Sequence, residues 1–304
     1  MIRRKLDKSW VEASLGARDP EDIETLNRNR RSVATNVETA SSEIHVGGMM
    51  KYRTIGIIGA GMIGRSLFDY VGSLDGVEVA YILVSDKNKY AQNAAMAALV
   101  TDDAEHALDR KADLVLECAM PALLGTLGPD ILAHSDLCGF SCSALADRTV
   151  EAAMHAAASK SGRRLFVPHG AVLGLDGLRD GREQIEKVVI TTTKSGASLG
   201  QPTDAKGTLF DGSTREACMR FPRNVNVHAA VAFAGIGFDH TRSIVVADPD
   251  TKTMRHHIAV SGRDLEWDIS VSSQSLGGVT GSYTPASAIG SLKRILDTDV
   301  FANA

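Results

Sequence analysis

An apolar run, Thr54-Ile55-Gly56-Ile57-Ile58, ends in Gly59-Ala60-Gly61-Met62-Ile63-Gly64, and Leu67, Val71 and Leu74 then recur at i, i+4 and i+7. A G-x-G-x-x-G turn between a buried strand and an amphipathic helix opens a βαβ dinucleotide-binding unit. Each glycine has its own reason to be there. Gly59 lets the chain turn tightly off the strand, Gly61 removes the Cβ that would strike a pyrophosphate, and Gly64 lets the helix lie close on the sheet. Met62 and Ile63 open that helix, where free N–H groups and the positive end of the helix dipole face the phosphates. Alone, the motif is common in glycine-rich loops. Flanked by strand and helix it favours a dinucleotide over a βα turn without a ligand.

The pattern that follows supports the same fold class. Strands are expected over 77–84, 113–119, 137–141 and 164–167, and helices over 88–100, 121–133 and 147–159. This alternation is that of an α/β, Rossmann-type doubly wound parallel sheet, and ligands of such sheets lie beyond the carboxyl ends of the strands. Ala119, the run Ser141-Cys142-Ser143-Ala144, and Pro168-His169-Gly170 leave those ends and should line the crevice. From 188 onward the pattern changes. Segments 188–194, 242–247, 256–260 and 266–272 read as strands without a helix after each, so a second, mixed α/β domain is expected over 170–284 behind a dinucleotide domain over 51–169. Ser213-Thr214-Arg215-Glu216 matches a capping box, and Asn224 could cap a helix over 227–234. A final helix over 286–297 is expected to pack back on the first domain, with residues 285–304.

Composition excludes several classes. The 304 residues carry a formal charge of −4 and 44% hydrophobic residues, which gives no general attraction for nucleic acid or anionic lipid and favours small-molecule partners. No apolar run reaches the roughly 18 residues of a membrane span. Cys118, Cys138, Cys142 and Cys218 include no C-x-x-C pair, as expected of reduced thiols in the cytoplasm. Zinc ligation through Cys138 and Cys142 would need two further ligands nearby, and no metal is expected. Residues 1–50 have little apolar periodicity and read as an extension of uncertain order. No apolar segment follows the basic start to make an export signal, and the acidic residues from Asp7 to Glu24 argue against a mitochondrial presequence. A homo-oligomer is the default expectation.

Several ordered blocks resemble the L-aspartate dehydrogenase family. They are Glu117-Cys118-Ala119, Ser143-Ala144-Leu145-Ala146-Asp147, the run from Pro168-His169-Gly170 to Asp176, and Leu209-Phe210-Asp211-Gly212-Ser213. Phe221-Pro222-Arg223-Asn224-Val225-Asn226-Val227, Ala234-Gly235, Ala247-Asp248-Pro249 and His256 complete the set. The resemblance implies NAD or NADP as cofactor and L-aspartate as substrate. Its products would be iminoaspartate, for NAD biosynthesis, or oxaloacetate and ammonia after hydrolysis. It also implies that His256 is the acid/base, that Ala144 and Asn226 hold the nicotinamide end, and that Lys194 after Thr191-Thr192-Thr193 is a cation for the substrate.

The chemistry asks for such groups. Oxidising an amine at Cα needs a base that can take and return protons, and a histidine does this near neutrality without large tuning. In a strand over 256–260 consecutive side chains point to opposite faces, so only one of His256 and His257 can enter the crevice. A dicarboxylate needs cationic or N–H partners; Lys194 could serve, or could be a solvated surface lysine. Asn226 could hold a carboxamide or simply cap a helix, in competition with Asn224.

Three positions depart from the family pattern. His169 stands where serine is common, Met254 where asparagine is common, and Ser195-Gly196 where two prolines are common. His169 could alter substrate choice, act as a second acid/base or fill space. Asp86, 22 positions after Gly64, is placed to bind a ribose 2′-hydroxyl, although Ser85 competes for that place and Lys87 and Lys89 would tolerate a 2′-phosphate. A dehydrogenase for another small amino or carboxylic acid, and a nicotinamide-binding sensor without turnover, stay open as alternatives.

Overall fold

The computed structural model describes residues 51–275 and 281–296. Contacts divide the chain into two units, Met1–Lys51 and Tyr52–Ala304. The expected extension over 1–50 lies outside the described residues.

The first sheet has six parallel strands in the order β3-β2-β1-β4-β5-β6. They are β1 (Thr54–Ile58), β2 (Glu78–Leu83), β3 (Val100–Thr101), β4 (Leu114–Glu117), β5 (Asp136–Gly139) and β6 (Leu165–Phe166). The order reverses between β1 and β4, which is where a doubly wound sheet opens a crevice. Burial explains the strands: Ile55, Ile57, Ile58, Leu114, Val115 and Leu116 are all within 1% of fully buried, as for strands covered on both faces. Helix α1 (Met62–Val71) buries Gly64, Leu67 and Val71 against the sheet, the spacing the sequence foretells.

One expected element is corrected. The single helix over 88–100 is replaced by a 3₁₀ turn at Lys87–Tyr90, a one-turn α2 (Ala94–Ala97) and the edge strand β3. Within α2 only Met96 is buried, so there is no apolar stripe to hold a longer helix on the sheet. Val100 and Thr101, both β-branched, instead pair with Ile82 and Leu83. The short α3 (Ala104–Leu108) follows. Helix α4 (Pro121–Leu132) starts with proline in its first turn and buries Leu123, Leu124, Leu127, Ile131 and Leu132. Asp147 caps α5 (Arg148–Ser161) by accepting the Thr149 N–H at 2.8 Å.

The second sheet is mixed, in the order β11-β10-β7-β9-β8. Its strands are β7 (Ile185–Lys194), β8 (Gly207–Ser213), β9 (Arg242–Ala247), β10 (Thr253–Gly262) and β11 (Leu265–Gln274). Only β7 and β9 run parallel. The helices α6 (Leu175–Asp180), α7 (Thr214–Arg220) and α8 (Asn226–Ala234) accompany it. The edge strand β8, α3 and α6 were not anticipated. The capping box is present, with Ser213 and Glu216 satisfying each other's backbone N–H groups at the start of α7.

Period-two alternation sorts this sheet into two faces. Val188, Ile190, Thr192 and Lys194 of β7 alternate with the more exposed Lys187, Val189, Thr191 and Thr193. Val188, Ile190, Ile258 and Val260 join Val231 and Ala234 of α8 in one apolar cluster. Toward the end of β7 the same inner face turns polar, at Thr192 and Lys194. Helix α9 (Thr284–Leu296) packs on α1, and the Lys293 ammonium lies 5.6 Å from the Tyr70 ring. Its expected last residue, Asp297, lies outside the described residues. No described helix is long and apolar enough to cross a membrane.

Candidate active site

The glycine turn has the geometry that a dinucleotide needs. Gly59 sits at φ +92°, and a Cβ there would lie 2.9 Å from the Cys118 carbonyl oxygen and 3.0 Å from Ala119 Cα. Its N–H donates to Leu83 O at 2.8 Å, tying the ends of β1 and β2. A Cβ on Gly64 would fall 2.0 Å from Gly59 O, so the helix can rest on the turn only without one. At Gly61 a Cβ would meet nothing within 4 Å among the described residues: they leave that face open for a ligand to approach. No side chain caps α1, which leaves the N–H groups around Met62, Ile63 and Gly64 for an anion. These observations fit a pyrophosphate.

Glu117 braces the crevice beside this turn. It is fully buried, and its carboxylate accepts the Ala119 N–H at 2.8 Å, the Ser141 N–H at 3.0 Å and the Ser141 hydroxyl at 2.9 Å. The ends of β4 and β5 are thereby held together. Burial pushes its pKa up to about 7, against the opposing pull of the hydrogen bonds from Ser141 and Ala119. The sequence signal for this clasp was an acidic residue closing an otherwise apolar strand.

Asp86 lies three residues beyond β2 and caps the 3₁₀ turn, accepting the Asn88 N–H at 3.0 Å. Lys87 pairs with Asp102 at 3.2 Å and Lys89 is exposed.

Helix α8 joins the two halves of the site. Its first residue, Asn226, accepts the Ser143 N–H through Oδ1 at 3.1 Å, and its carbonyl oxygen accepts from Cys142 Sγ at 3.1 Å. Ser143 also donates from Oγ to Pro222 O at 2.6 Å. Ala144 follows in the same 3₁₀ turn, Cys142–Ala146. Neither asparagine caps the helix: the cap is Val225, with no side-chain bond, and Asn224 Oδ1 is buried without a hydrogen-bond partner among the described residues. The helix starts one residue too late for a cap at Asn224 and one too early for a cap at Asn226. Asn226 Oδ1 is turned instead to the first sheet.

Two residues along α8, His228 is fully buried over the polar end of the second sheet, with Thr192 Oγ1 2.6 Å from its Nε2. Thr192 is also the register partner of His256, whose Nδ1 lies 2.8 Å from the same hydroxyl. His256 faces inward at 4% exposure, whereas His257 faces outward and pairs with Asp268 at 2.7 Å. Strand alternation thus separates the two histidines as the sequence indicated. Lys194 is no surface lysine: it is 3% exposed and donates to Asn224 O at 3.3 Å. Met254 lies 2% exposed on the same inner face.

The electrostatics differ from the sequence expectation at one point. His256 is not a lightly tuned histidine, because burial first and the Lys194 ammonium second push its pKa down to about 3. Burial likewise holds the Lys194 pKa down to about 8. The free protein near neutrality therefore has an uncharged His256 beside a charged Lys194. His169 is half-buried outside this group, and its Nδ1 is 2.7 Å from Val172 O, which fixes Nδ1 as the protonated nitrogen. Its ring centroid is 6.3 Å from that of Tyr283.

Comparison with known proteins agrees with the two-sheet fold. Residues 59–168 match the model of the homoserine dehydrogenase NAD-binding domain, and residues 176–295 match that of the aspartate dehydrogenase C-terminal region. An L-aspartate dehydrogenase from Bordetella pertussis is 34% identical, covering 78% of this chain and 95% of its own length. Another, from Methanosarcina acetivorans, is 34% identical over 80% of this chain and 97% of its own. The crystal structure of aspartate dehydrogenase from Thermotoga maritima is 25% identical, with a TM-score of 0.67 over 84% of this chain and all of that one. The chain belongs to the L-aspartate dehydrogenase family.

Proposed function

We propose that the chain catalyses NAD(P)-dependent oxidation of L-aspartate to iminoaspartate, which either enters NAD biosynthesis or is hydrolysed to oxaloacetate and ammonia. The observation that carries this reading is the double engagement of α8. Asn226 reaches the strand ends of the dinucleotide domain while His228, two residues later, reaches the sheet that holds His256 and Lys194.

When bound, the nicotinamide accepts the hydride leaving Cα of the amino acid. The protein's residues supply the rest. Asn226 presents its amide nitrogen beside Ala144, since Oδ1 is already occupied by the Ser143 N–H. Lys194 binds a substrate carboxylate. That carboxylate offsets the ammonium charge, the lesser of the two causes that depress His256, so the His256 pKa rises from its depressed value. His256 is thus more basic with the dicarboxylate present than without it. Asp86, already engaged as a cap, and the neighbouring lysines are compatible with either NAD or NADP.

A second reading, turnover of another small amino or carboxylic acid, is favoured by one observation. His169, where the family commonly has serine, stands half-buried beyond β6 with its Nδ1 turned to the Val172 carbonyl oxygen. The protein is further proposed to be a cytoplasmic homo-oligomer, in keeping with four free cysteines.

Steady-state NAD(P)H formation with L-aspartate, other amino acids and 2-hydroxy acids, each with NAD and NADP, tests both readings. L-Aspartate is expected to give the highest kcat/KM. A higher value with another acid supports the second reading, and dinucleotide binding without turnover on any of them sinks both.

A further inference from the structure

Beneath His256 runs a continuous chain of buried polar groups. The Thr192 hydroxyl bridges His256 Nδ1 at 2.8 Å and His228 Nε2 at 2.6 Å. His228 Nδ1 is 2.9 Å from Ser243 Oγ, and Ser243 Oγ is 2.7 Å from Thr214 Oγ1. Thr214 Oγ1 ends the chain on the carbonyl oxygen of Thr241 at 3.0 Å. Thr192, His228, Ser243 and Thr214 all have zero exposure.

The end of the chain sets its direction. A carbonyl oxygen can only accept, and each hydroxyl has one proton to give. Thr214 gives its proton to Thr241 O, so it must accept from Ser243. Ser243 must then accept from His228 Nδ1. Burial keeps His228 neutral, its pKa held well below the usual histidine value, so its single proton is on Nδ1 and its Nε2 accepts from Thr192. Thr192, having given its proton, accepts from His256 Nδ1.

We infer that this chain fixes His256 in the Nδ1–H tautomer, and so leaves Nε2 as the nitrogen that exchanges protons with the substrate. Reversing every bond would forfeit the one from Thr214 to Thr241, a roughly fivefold penalty in population. It would also place a proton on Nε2, the nitrogen without a hydrogen-bond partner among the described residues. Nδ1–H is the minor tautomer of histidine in water, so the network works against the intrinsic preference. It suits both charge states of the ring. Nδ1 donates to Thr192 whether or not Nε2 has taken a proton, so proton uptake requires no rearrangement below it. Thr192, His228, Ser243 and Thr214 are therefore positioning residues, acting through His256.

The inference rests on His256 being the acid/base, and the test separates the two. Full-length protein with ¹⁵N-labelled histidine, its His256 signals assigned by loss in His256→Ala, reports the tautomer without reference to activity. Pyrrole-type Nδ1 and pyridine-type Nε2 are expected for His256; the reverse overturns the inference whatever the activity. In Thr192→Val, an Nε2–H signal should grow in and kcat should fall about 10- to 100-fold, with the KM for L-aspartate and the dinucleotide Kd changed less than about threefold. Thr192→Ser should restore most of kcat and the Nδ1–H signal. A Thr192→Val protein that keeps both kcat and the Nδ1–H tautomer also overturns it. Full turnover in His256→Ala together with an Nδ1–H tautomer in the unmutated protein would instead remove His256 from the mechanism and leave the tautomer assignment standing.

Discussion

Asn226 accepts the Ser143 N–H through its side-chain oxygen at 3.1 Å, across the boundary between the parallel sheet and the mixed one. The bond orients the amide, because with Oδ1 turned to Ser143 the NH₂ group is the end left for a ligand. Asn226→Asp keeps an acceptor for Ser143 and removes the donor. Its thermal midpoint should stay within a few degrees of the unmutated protein, while NAD(P)H affinity, read by fluorescence titration, should fall about tenfold or more. Unchanged affinity would separate Asn226 from the dinucleotide.

His256→Ala should lower kcat by about 10²-fold or more, the usual contribution of a positioned acid/base, and leave dinucleotide affinity nearly intact. Steady-state kinetics beside a binding titration make the comparison. Near-normal kcat would exclude the imidazole from proton transfer.

Lys194 makes substrate affinity depend on pH. Burial lowers its pKa to about 8, so the ammonium that recognises a carboxylate is present below that value and lost above it. Succinate, a dicarboxylate with no amine to titrate, isolates this effect. Its inhibition constant against L-aspartate should be flat below about pH 8 and then rise by up to about tenfold per pH unit. Lys194→Met should weaken succinate below about pH 8 and flatten the profile. A sloping profile that survives in Lys194→Met would assign the titration elsewhere.

Glu117→Gln tests the clasp between β4 and β5. The carboxylate receives three donors from Ala119 and Ser141. A glutamine oxygen in place of Oε1 puts its NH₂ against the Ser141 N–H, donor to donor. The variant should lose about 1–3 kcal/mol of stability despite shedding a buried charge, measured by urea unfolding. A gain in stability would mean that desolvation of the carboxylate outweighs its hydrogen bonds.

What could be read from the sequence followed from local rules. The glycine turn, the strands of the parallel sheet and the opposed faces of His256 and His257 each depend on residues close in the chain, through sterics or strand alternation. Lys194 could not be settled that way. Its burial involves the segment leading into α8, whose Asn224 carbonyl lies 30 residues along the chain from Lys194. Thr192, His228, Ser243 and Thr214 were illegible for the same reason: they come from two strands and two helices, and each alone is an ordinary polar residue. The missing long helix at 88–100 was a failure of composition. Alanines allow a helix but bury little, so the β-branched pair at its end was free to join the sheet.

Gly61 and Gly64 separate binding from folding within one turn. A methyl at Gly61 meets no atom of the described residues within 4 Å, and the backbone there, at φ −72°, suits any residue. Gly61→Ala should therefore unfold within a few degrees of the unmutated protein. It should bind NAD(P)H at least about tenfold more weakly, because the new methyl stands where the pyrophosphate approaches. Gly64→Ala places its methyl 2.0 Å from Gly59 O, a backbone atom that can yield only if α1 lifts off the turn. It should lose about 1–3 kcal/mol of stability or more, together with dinucleotide affinity. Thermal melts with and without NAD(P)H distinguish the two. Equal stability losses in both variants would show that Gly61 serves the turn itself and not its ligand.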